Sequence, residues 1–153
     1  MRLPYTKLAP DASATLSRLG HYIKTATSLE PVLLELVYLR ASQLNDCSFC
    51  IGMHRSELRK HNEPQSRIEA VADWRRSPAF TPRECAALAW AEAITNLQES
   101  HASDADYEAV TRFFEEKDLV DLTFAIATIN AWNRLSVAFK VQWNPPASEE
   151  IKS

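Results

Sequence analysis

The chain has 153 residues, of which 46% are hydrophobic and 24% are charged, and its formal net charge at pH 7 is -3. This size and balance predict a single globular domain over residues 1–153, with a buried core at about residues 20–140 and loosely held tails. Interspersed charges of both signs disfavour nucleic acid as a partner. Without an apolar run of about 18 residues or a secretory leader, we expect no membrane span and a cytoplasmic location.

Helices are the predicted elements throughout, because glycine is rare, prolines stand where helices would begin or end, and no stretch alternates like a strand. The sequence therefore predicts an all-α domain of about six to seven helices. In chain order, the predicted helices are about 11–28, 31–46, 47–61, a short one opened by Pro64, one opened by the capping signature Thr81–Glu84, one opened by Ser103 and Asp106, and about 118–140.

Glu35 lies in the second of these helices, within "PVLLELVYL", where its helical neighbours are nearly all apolar. We therefore expect its carboxyl group to be buried. Desolvation would then raise its pKa toward the range in which it exchanges protons at neutral pH, which makes Glu35 a candidate acid or base. A structural glutamate bonded to an arginine or to a neighbouring helix end is the alternative, and the sequence leaves both open.

The last predicted helix contains "LVDLTFAIATINAWNRLSVAF", which is apolar most of the way round the helix axis. A helix of this kind either lies at the centre of a core or forms part of a subunit interface. The second possibility implies a homo-oligomer.

The segment "NDCSFCIGMH" carries the most specific chemical pattern of the chain. If the third helix begins near Cys47, then Cys47, Cys50 and His54 share one face, and the helix N-terminus favours a thiolate. The spacing suits a disulfide that forms and opens without refolding, while the imidazole exchanges a proton. Two alternatives stay open: a zinc site, which lacks the usual fourth ligand, and a buried inert pair of thiols. The third cysteine, Cys85, is predicted to pack in the core.

Glu35, followed after eleven residues by "CSFCIGMH", resembles the signature of the alkylhydroperoxidase D-like members of the carboxymuconolactone decarboxylase family. The later segments "AALAWAEAIT" and "LVDLTFAIATINAWNRLSVAF" are also similar to the core of this family, so the resemblance spans about residues 20–140. It implies an all-helical, AhpD-like domain that assembles as a trimer or a hexamer.

The resemblance further implies a thiol peroxidase that uses neither haem nor flavin, and we expect no cofactor or metal. At the matching positions, Cys50 would attack the peroxide oxygen and Cys47 would resolve the sulfenic acid as a disulfide. Glu35 and His54 would relay the proton through Cys47 and a water. From the residues alone, the helix start favours Cys47 as the more acidic thiol. The resemblance, and His54 four residues after Cys50, favour Cys50 as the attacking thiol.

Phe49 departs from the family pattern, because some members have a histidine immediately before the second cysteine. The expected consequence is a weaker activity or a different oxidant, whereas the cysteine pair itself argues against lactone decarboxylation. By resemblance, the expected partners are a hydroperoxide substrate and a dithiol reductant such as dihydrolipoamide on a lipoylated carrier protein. The alternative function is a non-catalytic redox-sensing or metal-binding helical oligomer that uses the same cysteines.

Overall fold

The computed structural model of the chain describes residues 1–145, and this part consists of helices joined by turns, without a strand. In chain order it contains α1 (Tyr5–Leu8), α2 (Pro10–Ala26), α3 (Pro31–Leu44), α4 (Ser48–Lys60), α5 (Gln65–Ala70), a 3-10 helix (Val71–Arg76), α6 (Pro82–Thr95), α7 (Leu97–Ser100), α8 (Asp104–Thr111) and α9 (Glu116–Ala138). The all-α prediction is confirmed.

The nine α-helices in the described residues exceed the six to seven predicted from the sequence. The two unpredicted helices, α1 and α7, have four residues each. One helical turn is too short to show the apolar periodicity by which longer helices are identified. The short helix predicted after Pro64 is present as α5, which continues directly into the 3-10 helix.

Several helices begin at the positions that local sequence signals predict. Pro31 is the first residue of α3, where its missing N–H is not needed. Thr81 Oγ1 accepts a hydrogen bond from the Glu84 N–H at 3.2 Å, and Glu84 Oε2 accepts one from the Thr81 N–H at 2.8 Å. Ser103 and Asp106 form the same reciprocal capping box at the start of α8.

Helix α3 is the centre of the fold and packs against α4, α6 and α9. Nine of its 14 residues are buried. Leu34 and Val37 belong to an apolar cluster shared with α9, whereas Leu36 and Leu39 belong to a second cluster shared with α4, α5 and the 3-10 helix. Because apolar side chains cover both sides of α3, a polar residue on this helix is held away from water, and Glu35 is only 3% exposed.

Helix α9 contributes both to the core and to the surface. Leu122 and Ile126 are fully buried, whereas Val120 and Phe124 are 54% and 50% exposed. Tyr107 of α8 is 52% exposed and lines the same groove as Val120 and Phe124. An apolar face therefore lies uncovered in the isolated chain, in agreement with the excess apolar surface of the sequence. The homo-oligomer that this surface suggests stays a prediction.

The N-terminal segment, which we expected to be loosely held, is attached to the end of α9. The backbone N–H of Arg2 donates to the carbonyl oxygen of Phe139 at 2.7 Å. The Tyr5 ring stacks on the Phe139 ring with centroids 5.3 Å apart. This attachment was not predictable from the segment itself, because both contacts are made with a residue near the other end of the chain.

The expected loose C-terminal tail, residues 144–153, lies mostly outside the described residues. It stays a prediction, as does the single-domain organisation of the whole chain. Within residues 1–145, no helix combines the length and the apolar character needed to cross a membrane.

Candidate active site

The cysteine pair lies where α3 turns into α4. Cys47 is the N-cap residue of α4, and its Sγ accepts a hydrogen bond from the backbone N–H of Cys50 at 3.4 Å. Asp46, with a φ of 51°, makes the left-handed turn that precedes the cap. Cys47 and Cys50 are joined by a disulfide with Cα atoms 5.4 Å apart, a usual separation for such a bond. Both cysteines are 1% exposed.

Glu35 and His54 form a buried pair across the interface between α3 and α4. His54 Nδ1 lies 2.7 Å from Glu35 Oε2, and both side chains are 4% exposed. The Tyr38 ring packs against the imidazole with ring centroids 5.2 Å apart, which keeps water from that side. The two residues that we expected to communicate through Cys47 and a water are therefore in direct contact.

Lys24 of α2 contacts the other oxygen of the same carboxylate. Its Nζ lies 3.0 Å from Glu35 Oε1, whereas His54 uses Oε2. The Lys24 side chain is half-exposed, so it connects the buried carboxylate to the surface. Sequence reasoning missed Lys24, because nothing in its local pattern indicates a contact with a helix that follows it in the chain.

The pKa of Glu35 lies below its ordinary value, so the rise that we expected from desolvation is wrong. Burial does raise this pKa, but the hydrogen bond and charge of His54, followed by the charge and hydrogen bond of Lys24, lower it by more. The expectation failed because it counted only the apolar neighbours of Glu35 on α3. The alternative partners, an arginine or a helix end, are not the ones that the structure supplies.

The ionised carboxylate determines which nitrogen of His54 carries a hydrogen. A carboxylate can only accept hydrogen bonds, so Nδ1 donates to Glu35 in either charge state of the ring, and whenever the imidazole is neutral its lone pair is on Nε2. Nε2 is buried and has no hydrogen-bond partner among residues 1–145. Cys50 and His54, four residues apart on α4, lie on the same face of the helix. Since buried polar atoms in proteins are rarely unpaired, this nitrogen is a candidate proton acceptor for the cysteine pair.

Phe49 and Gly52 on α4 pack against Trp143, which follows the end of α9. The Phe49 and Trp143 rings meet edge to face with centroids 5.8 Å apart. A Cβ atom added to Gly52 would collide with the Trp143 indole. Phe49, which the sequence comparison by resemblance singled out as a departure, therefore makes an aromatic contact beside the cysteines.

The remaining cysteine and the possible metal ligands do not extend this site. Burial, followed by the charge of Glu84, raises the pKa of the Cys85 thiol, and its Sγ lies 3.9 Å from the carbonyl oxygen of Phe80. Such a thiol is a poor nucleophile, and Cys85 packs against the second apolar cluster. Within residues 1–145, no three histidine, cysteine, aspartate or glutamate side chains converge to hold a metal ion.

Comparison with known proteins relates this arrangement to one family. The family model for carboxymuconolactone decarboxylase matches residues 10–93. The chain is 36% identical over 137 residues to the uncharacterized protein YdfG of Bacillus subtilis, a match that covers 90% of this chain and 92% of YdfG.

Two solved structures show the same fold. A protein of unknown function from Agrobacterium tumefaciens, described as a candidate antioxidant defence protein AhpD, has a TM-score of 0.90 and 35% identity, covering 95% of this chain and 99% of that one. The debrominase Bmp8 has a TM-score of 0.81 and 19% identity, covering 95% of this chain and 77% of that one. At the latter identity the similarity concerns the fold alone, and a shared fold does not specify the reaction.

Proposed function

Because this chain belongs to the carboxymuconolactone decarboxylase family, among its AhpD-like members, we propose that it is a thiol-dependent peroxidase. The observation that carries the proposal is the Cys47–Cys50 disulfide at the start of α4, together with the buried His54 on the same helix, whose Nε2 has no hydrogen-bond partner in the described part of the chain. A purely structural disulfide needs no buried proton acceptor on the same helix face. The coarser conclusion, a peroxidase-related role, follows from the family itself.

In the proposed reaction, Cys50 is the attacking thiol. His54 Nε2 takes the proton of Cys50, and the thiolate attacks the terminal oxygen of ROOH. The O–O bond breaks, Cys50 becomes a sulfenic acid, and the leaving alkoxide recovers the proton from His54 as ROH. The Cys47 thiol then attacks the Cys50 sulfur, which forms the disulfide and releases water. Two electrons pass from the thiols to the peroxide in one cycle.

Glu35, held by Lys24, fixes the tautomer of His54 that the scheme requires. Glu35 accepts from Nδ1, so the lone pair of the neutral ring stays on Nε2, and its negative charge stabilises the imidazolium that forms during proton transfer. Lys24 bonds the second carboxylate oxygen and opposes protonation of Glu35. Lys24 touches no reacting atom in this scheme and is therefore a positioning residue.

Reduction of the disulfide completes the reaction, and we assign this step to a dithiol. The dithiol would be dihydrolipoamide, either free or attached to a lipoylated carrier protein. A site that is oxidised in each cycle and must be reduced again fits the reducing cytoplasm.

We also propose that the chain works as a homo-oligomer, a trimer or hexamer. The exposed Val120, Phe124 and Tyr107 border a groove of about 930 Å³ that a second copy would cover.

The test uses the fully reduced, metal-free protein with one equivalent of an organic hydroperoxide. We expect a rapid loss of about two hydrogen masses, located at Cys47 and Cys50 by peptide mass spectrometry, followed by many turnovers when a dithiol is added. Cys85→Ser is the matched control and should react at the rate of the wild type. A protein that oxidises once and does not turn over would instead be a redox sensor, and thiols that stay reduced would contradict both functions.

A further inference from the structure

Three asparagine side chains connect the turn before Cys47 to α9. Asn45, the C-cap residue of α3, meets Asn130 and Asn133 of α9, and we call these three residues the asparagine network. Asn45 Nδ2 lies 2.9 Å from Asn130 Oδ1 and 3.0 Å from Asn133 Oδ1. Asn130 is 7% exposed, and Asn133 is fully buried. A residue two positions before Cys47 is thus attached to the interior of the fold.

Backbone carbonyl groups determine how the amides of the network are oriented. A carbonyl oxygen can only accept a hydrogen bond. The carbonyl oxygens of Ala41 and Ile126 lie 2.9 Å from Nδ2 of Asn45 and of Asn130, respectively. Asn45 therefore directs its NH₂ group at α9, and Asn130 and Asn133 direct their amide oxygens at Asn45.

Ser42 links the asparagine network to the backbone of Cys47. The Ser42 hydroxyl accepts from Asn133 Nδ2 at 3.1 Å, and the Ser42 carbonyl oxygen accepts from the Cys47 N–H at 3.0 Å. Ser42 is fully buried. The turn formed by residues 42–47, the Cys47 turn, is therefore bonded to α9 through both Ser42 and Asn45. A buried side chain that left this arrangement would leave its partner unpaired, so the arrangement resists change.

From this geometry we propose that the asparagine network and Ser42 position Cys47 and thereby set the thiol–disulfide equilibrium of the cysteine pair. The inference rests on the proposed function in one respect, namely that the pair cycles between dithiol and disulfide. A Cys47 turn that keeps its conformation after the bond opens holds the Cys47 thiol near Cys50. The effective concentration of one thiol at the other is then high, and the equilibrium is shifted toward the disulfide.

Loss of the network should affect the two redox forms unequally. Asp46, within the Cys47 turn, has a φ of 51°, a conformation that is unfavourable for a residue with a side chain. Without the network, the dithiol form can leave this conformation and separate its thiols, whereas the covalent bond keeps the disulfide form in it. The disulfide form therefore loses more free energy of unfolding. A contact that only stabilised the fold would affect both forms equally and leave the equilibrium between them unchanged.

The test measures the equilibrium of the pair with glutathione, in proteins that carry Cys85→Ser so that only one dithiol is counted. Two protein thiols and one glutathione disulfide give the protein disulfide and two reduced glutathione molecules. The protein forms are quantified by acid quenching, alkylation and mass spectrometry. We expect the equilibrium constant for disulfide formation to fall about tenfold in Asn45→Ala, because the effective concentration of the thiols decreases.

Glu92→Gln is the control for a general loss of stability. The Glu92 carboxylate bonds Arg40 and Trp74 and contacts neither the asparagine network nor Ser42 in the described part of the chain. This variant should unfold at a lower urea concentration than the wild type. Its equilibrium constant with glutathione should nevertheless change less than about twofold.

A milder variant and a measurement on the wild type keep the proposal falsifiable if Asn45→Ala does not fold. Ser42→Ala removes only the hydroxyl group that Asn133 bonds, and we expect the equilibrium constant to fall about threefold. In the reduced wild type, the Cys47 N–H should stay protected from hydrogen exchange, because the network still holds the turn.

The outcomes for this inference differ from those for the peroxidase function. Equilibrium constants in Asn45→Ala and Ser42→Ala that equal the wild-type value would overturn the inference. A Cys47 N–H that exchanges freely after reduction would also overturn it. Failure of the peroxide reaction alone would overturn the peroxidase function and leave the inference intact, because no peroxide enters these measurements.

Discussion

Two glutamates, the buried Glu35 on α3 and the partly buried Glu92 on α6, are alike in their pKa but differ in their partners. For both, burial raises the pKa, yet bonded partners lower it by more, so each carboxyl group lies below its ordinary value. Glu92 Oε1 accepts from Arg40 Nε at 2.7 Å and from Trp74 Nε1 at 2.9 Å, while Oε2 accepts from Arg75. Within the described residues, the donors to Glu92 are arginine side chains and an indole.

The protonation states of these donors separate a structural cluster from a candidate proton relay. Arginine and tryptophan keep their hydrogens at any physiological pH, so the Glu92 cluster can hold elements together but cannot pass a proton. Glu35 is bonded to His54, whose imidazole ring can take up and release a proton and whose Nε2 has no hydrogen-bond partner among residues 1–145. A lowered carboxyl pKa is therefore not enough to indicate function; the partners of the carboxylate decide it.

The largest expected effect is on the rate of thiol oxidation in Glu35→Gln. The amide keeps the shape of the side chain but cannot stabilise the imidazolium, so oxidation of Cys50 by an organic hydroperoxide should slow about a hundredfold. The rate is measured by stopped-flow fluorescence or by quenched alkylation. Glu92→Gln is the matched control, and its rate per folded molecule should equal that of the wild type. Similar rates for all three proteins would remove Glu35 from the mechanism.

The next largest effect is on the free energy of unfolding, and we expect it when the Glu92 cluster is changed. Glu92→Gln leaves Arg40 and Trp74 without their charged acceptor, so we expect a loss of about 1.5–3 kcal/mol in the free energy of unfolding by urea. Arg75→Ala removes an exposed partner and should cost less than about 1 kcal/mol.

The pH dependence of the Glu92 effect has a definite sign. Because the folded-state pKa is below the unfolded value, Glu92 contributes its stability above the unfolded pKa and loses it as the pH falls through the folded pKa. The difference between wild type and Glu92→Gln should therefore shrink in acid. A difference that stays constant down to low pH would show that the ionised carboxylate is not its source.

The smallest effect is expected from Lys24→Met, which should make Glu35 easier to protonate. It tests whether the charge bonded to Glu35 affects thiol oxidation. Without the ammonium group, only His54 counteracts the effect of burial, so the pKa of Glu35 rises. The neighbouring Tyr38 carries no positive charge that could replace that of Lys24. The acid limb of the pH–rate profile for thiol oxidation should move to higher pH.

Lys24→Arg is the control for this shift, since it keeps the charge and should restore the position of the acid limb. The shift should also decrease with added salt, because Lys24 is half-exposed. If Lys24→Met merely disturbed packing, the rate would fall equally at every pH, which would contradict a positioning role.

Local patterns singled out four residues of the candidate site, Glu35, Cys47, Cys50 and His54, but not Lys24. The spacing of Cys47, Cys50 and His54 places them on one helix face, and the apolar neighbours of Glu35 predict its burial; the structure pairs Glu35 with His54 and joins the two cysteines. The roles assigned to these residues stay predictions. The direction of the Glu35 pKa was wrong because its partners lie on other helices, which a reading of one helix cannot include.

By itself, the sequence determined the helical class, the starts of α3, α6 and α8, and the family, because capping residues, prolines and residue spacing act within a few positions of the chain. Only the tertiary structure decided that Lys24 reaches Glu35, that Trp143 covers Gly52, and that asparagines of α9 bond the turn before Cys47. Each of these contacts joins elements whose relative placement depends on the packing of the whole core, and no local pattern encodes that placement.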